Sequence, residues 1–245
     1  MKVGVGITTY NRASYFKQSF TAAIDKLRNV VDVWCVYEDG SDKDVKEYDE
    51  IFKWIEKEYP FVKIFRPRAN GGVAKAKNTL LKYMMENNCD YLFLEEDDII
   101  VKDEKAVTGY IKSAKNSGFS HLCFAYHGPM NQEGPMYKDQ WLEYHGACIG
   151  AWCMYTKEII EKVGYLDENF HNAWEHVELT KRIGDEGFCP PFGLFIDAAG
   201  SKDWLEEIPG SIDYSAIRPR DDWQKNIDEG LKYWKKKDGV GLPRL

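Results

Sequence analysis

Nowhere in its 245 residues does this chain approach the run of about 18 apolar residues that a membrane span requires. The opening Met1-Lys2-Val3-Gly4-Val5-Gly6-Ile7 turns polar too early for a secretion signal, and no small-residue cleavage site follows it. The six cysteines (Cys35, Cys89, Cys123, Cys148, Cys153 and Cys189) include no C-x-x-C pair and fall mostly inside apolar runs. That pattern excludes an evident zinc motif and points to free, buried thiols in a reducing compartment, hence to a cytoplasmic protein. A basic excess is missing too: Lys and Arg number 33 against 40 Asp and Glu, for a net charge of −7. Such a balance argues against a broad surface that tracks nucleic-acid phosphates. Repeats, low-complexity tracts and linkers are absent.

What remains is the composition of one packed α/β domain over residues 1–245, with 44% hydrophobic residues. In the first half, short apolar runs at 2–8, 31–38, 62–66 and 91–95 alternate with amphipathic stretches at 13–27, 45–58 and 73–86. This alternation predicts βαβ units and a mainly parallel sheet flanked by helices. Beyond residue 120 the pattern loosens. Strands are expected at 121–125 and 147–155, a turn-rich segment at 128–135, and helices at 157–163 and 175–186, the last stopped by Gly187. A final helix is expected at 222–236.

Ligands of parallel α/β sheets sit outside the carboxyl ends of the strands. Three expected strands end in polar clusters: Thr8-Thr9-Tyr10-Asn11-Arg12, Glu38-Asp39-Gly40-Ser41-Asp42 and Glu95-Glu96-Asp97-Asp98. Each alone reads as turn chemistry, but together they line one edge. The four consecutive carboxylates are the sharpest signal. Like charges at a buried strand end repel and lose solvation, a penalty that a divalent cation removes. In extended geometry Glu95 and Asp97 project to one side and can share an ion, and hard oxygen donors favour Mg²⁺ or Mn²⁺. The plainer alternative is an acidic turn capping the next helix. Asn70-Gly71-Gly72 runs into a helix bearing Lys75 and Lys77, which cannot share a face; its N-terminus suits an anion.

These residues, in this order, resemble the inverting GT-A glycosyltransferases of the large family that includes cellulose and chitin synthases and bacterial surface-glycan transferases. Asn70-Gly71-Gly72 with Ala76-Lys77-Asn78, and Gly164-Tyr165-Leu166-Asp167-Glu168-Asn169-Phe170 with the segment from Gly146, extend the resemblance over about residues 3 to 185. It implies a GT-A fold, with about residues 1–100 binding a nucleotide sugar and about 101–245 forming the acceptor half. Thr8 and Tyr10 would contact base and ribose, and Asp39, with Glu38, the base, most often uracil. Arg12 and Glu96 join the nucleotide-binding set, and Arg66 or Lys77 adds charge near the diphosphate. Asp97 matches the metal-binding aspartate of a D-x-D element, with Glu95 in place of its first aspartate and Asp98 beside it. Mn²⁺ or Mg²⁺ is the implied cofactor.

The pattern breaks at the catalytic base. Where the family usually has Glu-Asp, this chain reads Trp174-Glu175-His176-Val177-Glu178. Either Glu175 or His176 suits general-base work; we favour Glu175, with His176 contacting metal or phosphate. Glu178 is expected to pair with Lys181 or Arg182. Trp152 and Trp174 are the leading candidates for acceptor contacts, ahead of Trp141, His145 and Trp204, although tryptophans also serve as core.

The implied reaction moves a sugar from a nucleoside diphosphate, uridine favoured, to an acceptor hydroxyl with inversion. A nucleotidyltransferase would carry a glycine-rich loop where this chain has Thr-Thr-Tyr-Asn-Arg. A sugar-binding protein without turnover is the reading prompted by the missing aspartate at position 176. The acceptor is expected to be a glycan, a lipid-linked saccharide or a protein. A modified nucleic-acid base enters only through Lys232-Tyr233-Trp234-Lys235-Lys236-Lys237, where basic and aromatic residues interleave.

Overall fold

The structure is a computed structural model that describes residues 1–128, 131–211, 215 and 223–238. Pro129 and Met130 of the turn-rich segment, and Asp222 at the start of the expected last helix, lie outside the described residues.

The first strands and helices fall almost where the alternation puts them. β1 (Val3–Thr9), α1 (Ala13–Leu27), β2 (Val33–Glu38), α2 (Val45–Glu58), β3 (Val62–Phe65), α3 (Val73–Glu86) and β4 (Tyr91–Glu96) follow one another, with β1 to β4 parallel. Buried on both faces, β1 and β2 are near-continuous apolar runs. Gly4 and Gly6 of β1 are the exceptions, and α3 explains them. A Cβ on Gly4 would stand 2.6 Å from Met84 Sδ, and one on Gly6 would stand 2.9 Å from Leu80 Cβ. The missing side chains let the helix lie directly on the strand.

After β4 come β5 (Ile99–Val101), α4 (Lys105–Ser117), β6 (His121–Cys123), β7 (Tyr137–Lys138), β8 (Leu142–His145) and β9 (Trp152–Thr156). They are followed by α5 (Lys157–Val163), α6 (Glu175–Asp185), β10 (Phe195–Ala198), α7 (Ser201–Trp204), β11 (Leu205–Glu207) and α8 (Trp223–Asp238). The main sheet has the order β3-β2-β1-β4-β9-β6, in which only β9 runs against its neighbours. Two small antiparallel sheets, β10-β8-β7 and β11-β5, complete the second half. Buried side chains from both halves form one contiguous cluster. Among the described residues no helix is long and apolar enough to cross a membrane.

Parallel strands put their carboxyl ends on one edge, and the register fixes which residues meet there. Thr9 lies beside Glu38 of β2, and Thr8 lies beside Glu96 of β4. Because β6 is antiparallel to β9, it runs with β4, so its carboxyl end reaches the same edge. The expected strand over 147–155 is shorter, since pairing begins only at Trp152. Of the freed residues, Cys148 and Ile149 line the cavity at this edge instead.

Helix α4 has no counterpart in the sequence reading, because Gly109 and Thr108 weaken its helical signature. The glycine is required by packing: a Cβ there would lie 2.6 Å from two carbons of the Trp204 indole. Helix propensity favours Gly109→Ala by about 1 kcal/mol, whereas overpacking a filled contact costs about 1–3 kcal/mol. The substitution is therefore expected to lower the melting temperature by a few degrees, roughly 2–4 °C per kcal/mol. A rise in thermal unfolding would show that Trp204 yields freely.

Candidate functional site

A cavity of about 340 Å³ opens at the carboxyl edge of the main sheet. Thr8, Thr9, Tyr10 and Arg12 line it from the end of β1, Asp39 from β2, Asn70, Val73 and Ala76 from the approach to α3 and its first turn, and Glu96 to Asp98 from β4. The opposite wall is Cys148, Ile149 and the stretch from Asn172 to Val177. His127, Ser211, Ser215, Trp223 and Ile227 close the remaining side.

On the acidic edge, Arg12 bridges Asp97 and Asp98, reaching Asp98 Oδ2 at 3.1 Å. Thr9 Oγ1 donates to Asp97 Oδ2 at 2.7 Å. Asn11 makes the turn possible with φ 55, a left-handed conformation that asparagine tolerates. Burial drives the Asp97 carboxyl above its ordinary range against the pull of Arg12. Burial also opposes charge on Asp98, but His127 and Arg12 outweigh it and hold that carboxyl below its ordinary value. His127 Nε2 stands 3.2 Å from Asp98 Oδ1 and 3.9 Å from Glu207 Oε1. The first is an ionic contact rather than an aligned hydrogen bond, since both ring nitrogens and Asp98 Oδ1 are buried without a hydrogen-bond partner.

The two walls are joined by Lys77. Its side chain, 2% exposed, extends Nζ to Glu96 Oε1 at 2.8 Å, Glu175 Oε1 at 3.2 Å and the Gly150 carbonyl at 3.4 Å. Burial disfavours the ammonium, yet the two carboxylates raise its pKa well above the lysine value. Lys75, two residues earlier and off this face, is exposed. Asn78 ties the same helix to the second half of the chain, donating to the Leu166 carbonyl and accepting from the Leu166 amide, both at 2.9 Å.

Glu175 opens α6 after Trp174, whose φ of 72 turns the chain into the helix. Burial opposes ionisation of Glu175, but Lys77 and His176 bring its pKa down to about 2. His176 Nε2 lies 2.9 Å from the Cys148 carbonyl, and Nδ1 lies 3.7 Å from Glu175 Oε1. Against burial, Glu175 raises the His176 pKa to about 9, so the ring is an imidazolium at neutral pH. Such a ring suits an anion and has no lone pair for a proton or a cation. Gly150 makes room for it: with φ +83, its absent Cβ would lie 2.7 Å from His176 Cγ.

Several expected site residues sit elsewhere. Glu95 lies outside the cavity lining that Asp97 joins; it is 1% exposed beneath α1, accepts from Ser19 Oγ at 2.7 Å, and burial lifts its carboxyl well above the usual range. Arg66 lies outside the cavity lining, paired with Glu38 at 3.0 Å and with Asp49. Glu38 is likewise behind the wall, where it also accepts from the Ser41 amide at 2.5 Å. Asp39 reaches the cavity, but its oxygens accept from the Gly71 and Gly72 amides at 2.7 and 2.9 Å and so brace the glycine turn. Trp152 is core, fully buried against Phe93 and Tyr110. Of the tryptophans named for the acceptor side, Trp174 alone lines the cavity. Glu178 pairs with Arg182 and Lys237, and Trp234 is buried against Phe170 and Phe192. Trp234 and Lys237 of the basic and aromatic tail are thus taken up in docking α8.

His127 is the residue that sequence reasoning missed. The signal was available: it follows the expected strand 121–125 as Arg12, Asp39 and Asp97 follow theirs. As a cation site, the edge offers Asp97, Asp98 and His127. The described residues do not bring three such groups around one point. Mg²⁺ and Mn²⁺ commonly take only one or two carboxylates and fill their shells with phosphate and water, and the unbonded Asp98 Oδ1 fits that use.

The His176 ion pair has a pH signature. Its folded pKa of about 9 exceeds the ordinary 6.5, so its contribution to stability is complete below the latter and is lost as pH rises through the former. Denaturant melts between about pH 6 and about pH 10 should narrow the stability gap between the wild type and His176→Gln. A gap that stays constant across this window would contradict the assignment.

Comparisons with known proteins bear on the fold and the family. An uncharacterized glycosyltransferase, R363 of Acanthamoeba polyphaga mimivirus, is 29% identical over 231 residues, covering 89% of this chain and 85% of that protein. Among solved structures, the mannosyltransferase PcManGT from Pyrobaculum calidifontis in complex with GDP-Man and Mn²⁺ superposes with a TM-score of 0.62 at 13% identity, over 99% of this chain and 66% of that one. TarS from S. aureus superposes at 0.61 and 12% identity over 98% of this chain, which spans only 44% of TarS. At such identity these structures speak for the fold, GT-A. The profile of glycosyl transferase family 2 matches residues 4–171, and this chain, a glycosyltransferase, belongs to that family.

Proposed function

We propose that the protein moves a glycosyl group from a nucleoside diphosphate sugar, with uridine as the favoured base, to an acceptor hydroxyl with inversion at the anomeric carbon. The observation that carries this reading is one cavity whose walls oppose an acidic strand end, Glu96 to Asp98, and the buried ionised carboxylate of Glu175. Uridine is supported by TarS, whose residues 1–349 were solved with UDP and with UDP-GlcNAc. Tyr10 and Thr8 serve the nucleoside, and Asp39 holds the Asn70–Gly72 turn against it. Asp97 and Asp98 would hold Mn²⁺ or Mg²⁺, and the cation would neutralise charge on the leaving diphosphate.

Glu175 acts as general base. Its carboxylate takes the proton of the acceptor hydroxyl as that oxygen bonds to the anomeric carbon, and the bond from this carbon to the diphosphate oxygen breaks. Lys77 and the His176 imidazolium keep Glu175 ionised until then and favour anions in the cavity. Trp174 offers an apolar face for the acceptor, a glycan, lipid-linked saccharide or protein. Six free, buried cysteines support residence in the cytoplasm.

Thermal unfolding with UDP, GDP, CDP or dTDP, each with and without Mn²⁺, tests the donor site. A ligand near 100 times its Kd adds about 2.7 kcal/mol, and the expected result is a metal-dependent rise with UDP. No rise with any of the four contradicts the reading. Glu175→Gln should lower turnover by about 10²–10⁴-fold while leaving the UDP shift in place; full turnover in that variant would remove Glu175 as the base.

A further inference from the structure

We infer that His127 is a direct ligand of the catalytic cation and makes the site prefer Mn²⁺ over Mg²⁺, an inference that rests on the metal-assisted reading above. The imidazole is 5% exposed, lines the cavity, and has no hydrogen bond at either nitrogen. Its one close contact is the ionic one to Asp98, and a buried polar ring without a hydrogen bond is rare unless something outside the protein completes it. Its neighbour Asp98 Oδ1, 3.2 Å away, is also without a hydrogen bond, because Arg12 occupies the other oxygen of that carboxylate. Two unspent donor atoms therefore meet at the cavity wall.

Glu207 does not compete for the ring. Its oxygens accept from the Gly128 amide at 2.6 Å and from Ser211 Oγ at 2.5 Å. The backbone around His127 is held from both sides. The Ala125 amide donates to Asp197 Oδ2 at 2.9 Å, and Gly128 is fixed by Glu207. The ring is thus placed on a rigid segment at the carboxyl end of β6, on the same sheet edge as Asp97 and Asp98. Imidazole nitrogen suits Mn²⁺ and later transition ions better than Mg²⁺, which holds to oxygen donors.

Electron spin echo envelope modulation on the wild-type protein with Mn²⁺ and UDP reads this contact directly. The expected spectrum shows ¹⁴N coupling from a bound imidazole, lost in His127→Gln and kept in His176→Gln. Competition of Mg²⁺ against Mn²⁺ gives a second readout. In His127→Gln the preference for Mn²⁺ should fall by about tenfold or more, with Mg²⁺ binding little changed. Bound Mn²⁺ without ¹⁴N coupling in the wild type, or coupling that survives His127→Gln, overturns the inference and leaves the metal-assisted reading standing. Failure of the wild type to bind Mn²⁺ in the presence of UDP overturns both.

Discussion

A buried ammonium must be neutralised, and in this protein that requirement joins the two halves of the site. Lys77 leaves α3 and finds Glu96 at the end of β4 and Glu175 at the start of α6. Removing one partner of such a buried pair costs about 3–5 kcal/mol, since the remaining charge is stranded. One side chain therefore ties the acidic strand end to the start of α6. The same contact holds Glu175 ionised, and Glu175 in turn keeps His176 protonated. Charge, position and protonation state are one linked arrangement.

The backbone makes this possible at a few points without side chains. Gly4 and Gly6 let α3 lie on β1, which brings Lys77 within reach of the strand ends. Gly150 lets the His176 ring stand against the loop before β9. Asn78 and the Val73 amide, the latter donating to the His171 carbonyl at 3.1 Å, clip the segment from Leu166 to His171 to the same helix. α3 is thus the shared wall of both halves, packed on β1 with its apolar face and carrying the polar link on another.

The first half was legible because its signals are local. Alternating apolar runs set the parallel strands, and polar clusters at Thr8, Glu38 and Glu95 marked the edge where ligands bind. Within those clusters the alternation rule misassigned Glu95: packing under α1 took its side chain out of the site, while Glu96, Asp97 and Asp98 turned into the cavity. Arg66 and Glu38 were close in sequence to the right positions, yet their mutual pairing keeps them behind the wall. The second half was less legible. Its strands are short and antiparallel, α4 hides behind Gly109, and Trp152 looks the same in sequence whether it faces core or cavity. His127 follows an expected strand as the other site residues do, but it stands there alone, with no polar cluster around it to mark the position.

The protonation state of Glu175 is the most direct test of this account. In protein labelled with ¹³C at glutamate carboxyls, the resonance lost in Glu175→Gln identifies the group, and its shift can be followed from about pH 3 to about pH 8. The account predicts an ionised carboxylate over that whole range in the wild type and an upward shift of its titration in Lys77→Met. A midpoint near pH 6 in the wild type, or one unmoved by loss of Lys77, would contradict the claim that this buried ion pair organises the site.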